Sequence, residues 1–296
     1  MPFTEQHIIQ LCLEKLRDFY SSPVCLVRSG SVGGGCINNA AKLTTSVGEF
    51  FLKWNTHAPA DMFVKEAAGL TEMSFAETSL VIPKVIWSKA ADDMPGLLLM
   101  EFLPAPANTS GFDEKLGQGI AQMHRQKAAN YGFQHDNYCG TTVQKNAWTN
   151  TWPEFYAQNR IHSLVLRIKS QRGMSSEDQR IYDRLIDRLS QLLSHETSPS
   201  LIHGDLWSGN YMYTANGPAL IDPACYYADR EMELGMMKLF GGFSARVWDA
   251  YQSEFPLLPG WKQRIQLYQL YHILNHYLLF GGSYGWQALD IAKSYL

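Results

Sequence analysis

The chain has 296 residues, 46% hydrophobic and 12% aromatic, which is enough to bury a core and excludes a disordered tail or linker. A formal net charge of -3 supplies no basic field for a phosphate backbone, so no nucleic acid partner is expected. Residues 1–10 lack a basic, apolar leader and no stretch approaches the ~18 apolar residues of a membrane span, so a cytoplasmic protein with no membrane partner is expected.

From the start, residues 4–20 place Ile8, Leu11, Cys12, Leu16 and Phe19 at helical spacing behind a Thr4 cap. Segments 24–28, 40–45 and 49–54 read as strands, the first two joined by a hairpin holding Gly30, Gly33, Gly34 and Gly35. A helix over 61–74, with Phe63, Ala67, Leu70 and Met73 on one face, precedes strands at 81–87 and 97–102. Paired prolines and small residues over 103–111 then bar regular structure and read as a linker. Beyond it helices are expected at 113–126, 152–170 and 177–195, short strands at 201–202, 211–214 and 219–221, and further helices from 230 on. The fold class is therefore α+β, with a small antiparallel sheet over 1–103 and a larger, mainly helical part over 104–296. Five scattered cysteines without a C-x-x-C pair exclude a disulfide scaffold and a zinc knuckle. Cys12, Cys25, Cys139 and Cys225 are expected to be buried small hydrophobes, whereas Cys36 sits in the glycine-rich turn.

Chemistry concentrates in Ile202-His203-Gly204-Asp205-Leu206-Trp207-Ser208-Gly209-Asn210, with Asp222 following the next hairpin. Phosphoryl transfer needs a base beside the acceptor hydroxyl and oxygen ligands that hold Mg2+ against the phosphates. An aspartate, four residues and an asparagine is the spacing of a kinase catalytic loop, so Asp205 is the candidate base and Asn210 a candidate metal ligand. Residues 211–221 fold back as a hairpin and return Asp222 beside Asn210 as the main Mg2+ ligand. His203 reads as a residue that packs and hydrogen-bonds the loop.

Upstream, Gly33, Gly34, Gly35 and Cys36 offer backbone N–H groups to a triphosphate. Lys53 is a lone charge on an apolar strand, where burial without an anion costs too much; Glu66 on the next helix is its expected partner, or else lies on a solvated helix face. Backbone groups of Glu101 and Leu103 are candidates for the edge of an adenine slot. His272 and His276, four apart on a helix, lack the third ligand of a zinc site; they line either an acceptor pocket or an aromatic core. Together these residues indicate an ATP-dependent enzyme with a two-lobed, protein-kinase-like fold.

Ser31 through Asn38, Phe51-Leu52-Lys53-Trp54-Asn55, Gly140 through Asn146 to Trp152, the 203–210 loop and Leu267 through His272 resemble the fructosamine/ketosamine-3-kinases, a branch of the aminoglycoside-phosphotransferase-like kinases. The resemblance covers nearly the whole chain. It implies transfer of the ATP γ-phosphoryl group to the 3-hydroxyl of a sugar-amine adduct, free or on a glycated protein, as a deglycation step. It also implies Asp205 as base, Asn210 and Asp222 as metal ligands, Lys53 with Glu66 as the phosphate grip, and Trp207 against the sugar. Ala228 departs from the glycine of many relatives, away from this chemistry. A thiolate at Cys36, favoured by neighbouring N–H groups, would be oxidisable, so the partner state is a monomer or a redox-sensitive homodimer. An aminoglycoside- or choline-type kinase is the first rival reading, and a non-catalytic nucleotide-binding protein is the second.

Overall fold

Thr4 accepts a hydrogen bond from the His7 N–H and so starts α1 (Glu5–Tyr20), in which Ile8, Cys12, Leu13 and Leu16 are buried. The computed structural model describes residues 4–33 and 38–296. Phe19, expected on the apolar face of α1, is exposed instead, with the Lys84 ammonium 5.0 Å from its ring.

Strands β1 (Leu26–Ser31), β2 (Asn39–Thr45), β3 (Gly48–Asn55), β4 (Val85–Lys89) and β5 (Gly96–Glu101) form an antiparallel sheet in the order β1-β2-β3-β5-β4. Successive residues of a strand point to opposite faces. Phe50, Leu52, Leu97 and Leu99 accordingly pack with α1, while Leu98 and Met100 pack with Phe63, Ala67 and Leu70 of α2 (Met62–Ser74). The unbroken apolar run 97–100 is what a strand covered on both sides requires. The same alternation turns Lys53, between Leu52 and Trp54, towards α2.

The strand expected over 81–87 begins only at Val85. Val81 instead joins the hairpin downstream: its N–H donates to Pro218 O (2.9 Å) and its carbonyl accepts from Leu220 N (3.1 Å). Residues 102–111 carry no regular element, and α3 (Phe112–Met123) follows. The pattern reading passed over a hairpin of β6 (Asn137–Cys139) and β7 (Thr142–Gln144), whose strands are too short to display alternation; Gly140 turns it at φ +61°.

The helix expected over 152–170 is divided into α4 (Trp152–Phe155), a π-helical stretch Tyr156–His162 and α5 (Ser163–Arg172). That stretch carries Arg160, which is fully buried, inward. Its guanidinium donates to Lys145 O and Asn146 Oδ1 and lies 3.9 Å from the Tyr226 ring centroid, so the segment that follows β7 is tied to the core. Then come α6 (Ser176–Leu192), β8 (Ser200–Ile202), β9 (Tyr211–Thr214), β10 (Gly217–Leu220) and β11 (Tyr226–Ala228), paired β8 with β11 and β9 with β10. Helices α7 (Glu231–Phe240), α8 (Ala245–Glu254), α9 (Trp261–Phe280) and α10 (Tyr284–Ser294) complete this part.

Helices α3 and α8 approach so closely that a Cβ on Gly117 would stand 2.1 Å from Val247 O. Gly117→Ala is expected to cost about 1–3 kcal/mol by overpacking, read as a lowered thermal midpoint. Cys12, Cys139 and Cys225 are buried as expected, but Cys25 is exposed, because it precedes an edge strand whose residues are all exposed. Among the described residues no helix is long and apolar enough to cross a membrane.

Candidate active site

Lys53 and Glu66 meet because α2 packs across β5 and β4, on the sheet face to which the Lys53 side chain of neighbouring β3 points. Lys53 Nζ donates to Glu66 Oε1 and Oε2 (2.9 and 3.0 Å) and to Asp222 Oδ1 (2.8 Å). Lys53 and Glu66 are both buried, so Glu66 does not lie on a solvated face. Burial works against the Lys53 ammonium, but Glu66 and then Asp222 outweigh it and raise its pKa, so the charge is held. Burial also pushes the Glu66 carboxyl above its ordinary range while Lys53 pulls it down.

Asp222 arrives through the β9–β10 hairpin, where Ile221 N donates to Asn210 O (3.0 Å) and so sets the end of the hairpin beside the loop. It stands at φ +57°, a left-handed conformation that costs a non-glycine residue about 1–3 kcal/mol. His203 ties the loop to the same strand end: Nε2–H donates to Ile221 O (2.8 Å) and Nδ1 accepts from Asp205 N (3.3 Å). Burial lowers the His203 pKa, which keeps the neutral form that this pair of bonds requires. Gly204, at φ +84°, leaves room for Ala224 O, which would stand 2.2 Å from a Cβ there.

Asp205, Asn210, Trp207, Lys53, Glu66 and Asp222 all line one cavity of about 270 Å3. Asn210 Nδ2 donates to Asp205 O (2.8 Å), which fixes the carboxylate's backbone and leaves Asn210 Oδ1 as the amide atom that can ligate a metal. The Trp207 ring lies across Gly209, where a Cβ would be 2.3 Å from it, and is 41% exposed. Asp205 is pushed up to about 8, first by burial and then by the Glu233 and Asp222 carboxylates, against its bonds to Asn210 and Cys139. Such a cluster is short of positive charge, and its hard carboxylate and amide oxygens suit a small divalent cation such as Mg2+.

Glu233 escaped the sequence reading. From α7 its buried carboxylate accepts from His203 N (2.5 Å) and Gly204 N (3.2 Å), and so holds the backbone just before Asp205. An acid among Met232, Leu234, Met236 and Met237 was the available signal, by the argument already applied to Lys53. Glu233→Gln places an N–H against an N–H and is expected to cost about 1–3 kcal/mol. Acceptor turnover should fall while nucleotide affinity stays, as separate binding and rate measurements would show.

Tyr138, Asn137 and Met62 also line the cavity without having been singled out, as does Asn38, which ends the glycine-rich motif. Tyr138 donates to Asp61 Oδ1 (2.6 Å), joining the β6–β7 hairpin to the start of α2. Gly33 is exposed, two residues beyond the end of β1; Gly34, Gly35 and Cys36 lie outside the described residues. Glu101 and Leu103 do not line this cavity, and the Glu101 N–H is spent on Lys84 O (3.0 Å). His272 is buried, behind Asp205 rather than on the cavity wall. His276 bonds the His272 carbonyl of its own helix (2.7 Å) and sits among Phe240, Phe280 and Tyr284.

The profile of the family described as Fructosamine kinase matches residues 8–296. A "probable ketoamine kinase" of Synechocystis sp. is 35% identical over 299 residues, covering 100% of this chain and 99% of that protein. The chloroplastic protein-ribulosamine 3-kinase of Arabidopsis thaliana is 37% identical over 281 residues, covering 92% and 83%. The crystal structure of a "putative fructosamine-3-kinase" from Thermobifida fusca superposes with a TM-score of 0.82 at 31% identity, over 96% of this chain and 97% of that one. An aminoglycoside phosphotransferase solved with AMP-PNP and hygromycin B shares the fold alone, at 14% identity and a TM-score of 0.61 over 96% and 97%.

Proposed function

The chain belongs to the fructosamine kinase family, and from that premise we propose that it transfers the γ-phosphoryl group of ATP to the 3-hydroxyl of a ketosamine, a sugar-amine adduct. The supporting observation is the convergence of the Glu66–Lys53–Asp222 ion-pair chain and the Asp205–Asn210 loop on one cavity. Residues 1–103 act as the ATP-binding lobe, with Gly33 to Cys36 and the backbone near Glu101 and Leu103 as further nucleotide contacts. Residues 104–296 act as the catalytic and acceptor lobe.

Lys53, held by Glu66, grips phosphate oxygens and thereby sets the γ-phosphorus in line with the acceptor. Asp205 accepts the proton of the 3-hydroxyl as its oxygen bonds to phosphorus and the bond to the ADP oxygen breaks. Asn210 and Asp222 would hold Mg2+, which supplies charge neutralisation for the triphosphate. The exposed Trp207 ring offers an apolar face for the sugar. Free sugar-amine adducts or glycated proteins in the cytoplasm are the expected acceptors. The test is MgATP consumption with fructosamine, ribulosamine, erythrulosamine, an aminoglycoside and choline. Turnover with one or more of the ketosamines is expected; turnover confined to the aminoglycoside or choline would refute the assignment.

A further inference from the structure

Directly behind Asp205 stand two side chains that the phosphoryl-transfer reading does not use. Cys139, at the end of β6, and His272, on α9, are both buried, and ligand atoms of Cys139, Asp205 and His272 lie within 4.8 Å of one another. The imidazole Nδ1 of His272 is buried and has no hydrogen-bond partner, and neither has Oδ1 of Asn275, one turn along the same helix. A buried polar atom left unpaired costs free energy unless something occupies it. The Asn275 amide N–H reaches Cys139 Sγ (3.4 Å) and Cys139 O (3.2 Å), so the thiol is held in place. Burial, followed by His276 and Arg160, drives the His272 pKa down to about 3, so its lone pair is available.

We propose that Cys139, Asp205 and His272 form a second cation site, selective for a borderline-soft divalent ion of the Zn2+ class, whose occupation inhibits the enzyme. Thiolate, imidazole and carboxylate are the donor set of such ions, with bonds of about 2.0–2.3 Å. Mg2+ avoids thiolate and imidazole, so the two cations divide the region by chemistry. On binding, the Cys139 thiol releases its proton, and the ion takes the Asp205 oxygens that the acceptor hydroxyl needs. The other mixed cluster among the described residues, His195, Asp229 and Glu231, differs. There Asp229 already receives His195, Tyr268 and the Glu231 N–H, and Glu231 is bound twice by Arg264.

Binding is independent of the proposed function; inhibition rests on Asp205 as base, and the two are read separately. Co2+ is added to the purified protein in a non-thiol reductant, and the near-ultraviolet thiolate-to-Co2+ band is followed. A saturable one-to-one band is expected, retained in Cys36→Ser and absent in Cys139→Ser. His272→Gln should weaken it by more than about tenfold, the lower end of losses seen when even outer partners of a metal are changed. Zn2+ should inhibit MgATP-dependent turnover reversibly on addition of a zinc-selective chelator, and each variant should lose that inhibition relative to its own zinc-free rate. Nucleotide binding reports whether each variant folds, and either one alone suffices. No band in the unmodified protein, or a band unchanged in Cys139→Ser or in His272→Gln, overturns the site. A band with undiminished turnover overturns the inhibition.

Discussion

Asp205→Asn is expected to lower kcat by about 100- to 10,000-fold, the usual contribution of a positioned base, while nucleotide affinity changes little. The amide keeps the shape of the carboxylate, and the loop stays in place because its backbone is held by Glu233 and by Asn210. What is lost is an oxygen able to take the acceptor's proton. Separate titration of nucleotide binding and of turnover distinguishes this from a collapsed site. Turnover within a few-fold of the parent would show that the base lies elsewhere.

Asp222→Gly tests the other half of the cavity, and its expected signature is activity lost without stability lost. Removal of the carboxylate deletes a metal donor and one of the two partners of Lys53, for an expected fall in turnover of at least about 100- to 1,000-fold, the scale of one lost electrostatic contact in a transition state. Glycine at the same time relieves the positive φ and removes a negative charge from beside Asp205 and Glu66. Lys53 keeps both bonds to Glu66. The thermal midpoint should therefore hold or rise, as expected where strain is stored for function. A midpoint that drops sharply would mean that Asp222 is a structural residue.

Much of this was legible because the signals were local. The alternation around Lys53, the spacing from Asp205 to Asn210 and the hairpin returning Asp222 each lie within one short segment, where period and turn chemistry dictate placement. The β6–β7 hairpin was not, because three-residue strands carry no period, and its position is set by bonds from Asn137 and Gln144 to the Cys225 and Ala224 carbonyls, some eighty residues along the chain. Strand position alone does not reveal that Lys84 O takes the Glu101 N–H, which leaves the other backbone groups of Glu101 and Leu103 for a nucleotide.

The sequence by itself determined an antiparallel sheet followed by helices, a lysine that must find an anion, and an acid and an amide on one loop. These follow from side-chain periodicity and from the cost of burying charge, both of which operate over a few residues. Only the tertiary structure decided that α7 lends Glu233 to the loop's backbone and that residues 139 and 272 close in behind residue 205. Those encounters depend on how whole helices pack, and a residue's neighbours along the chain hold no record of which remote surface it will meet.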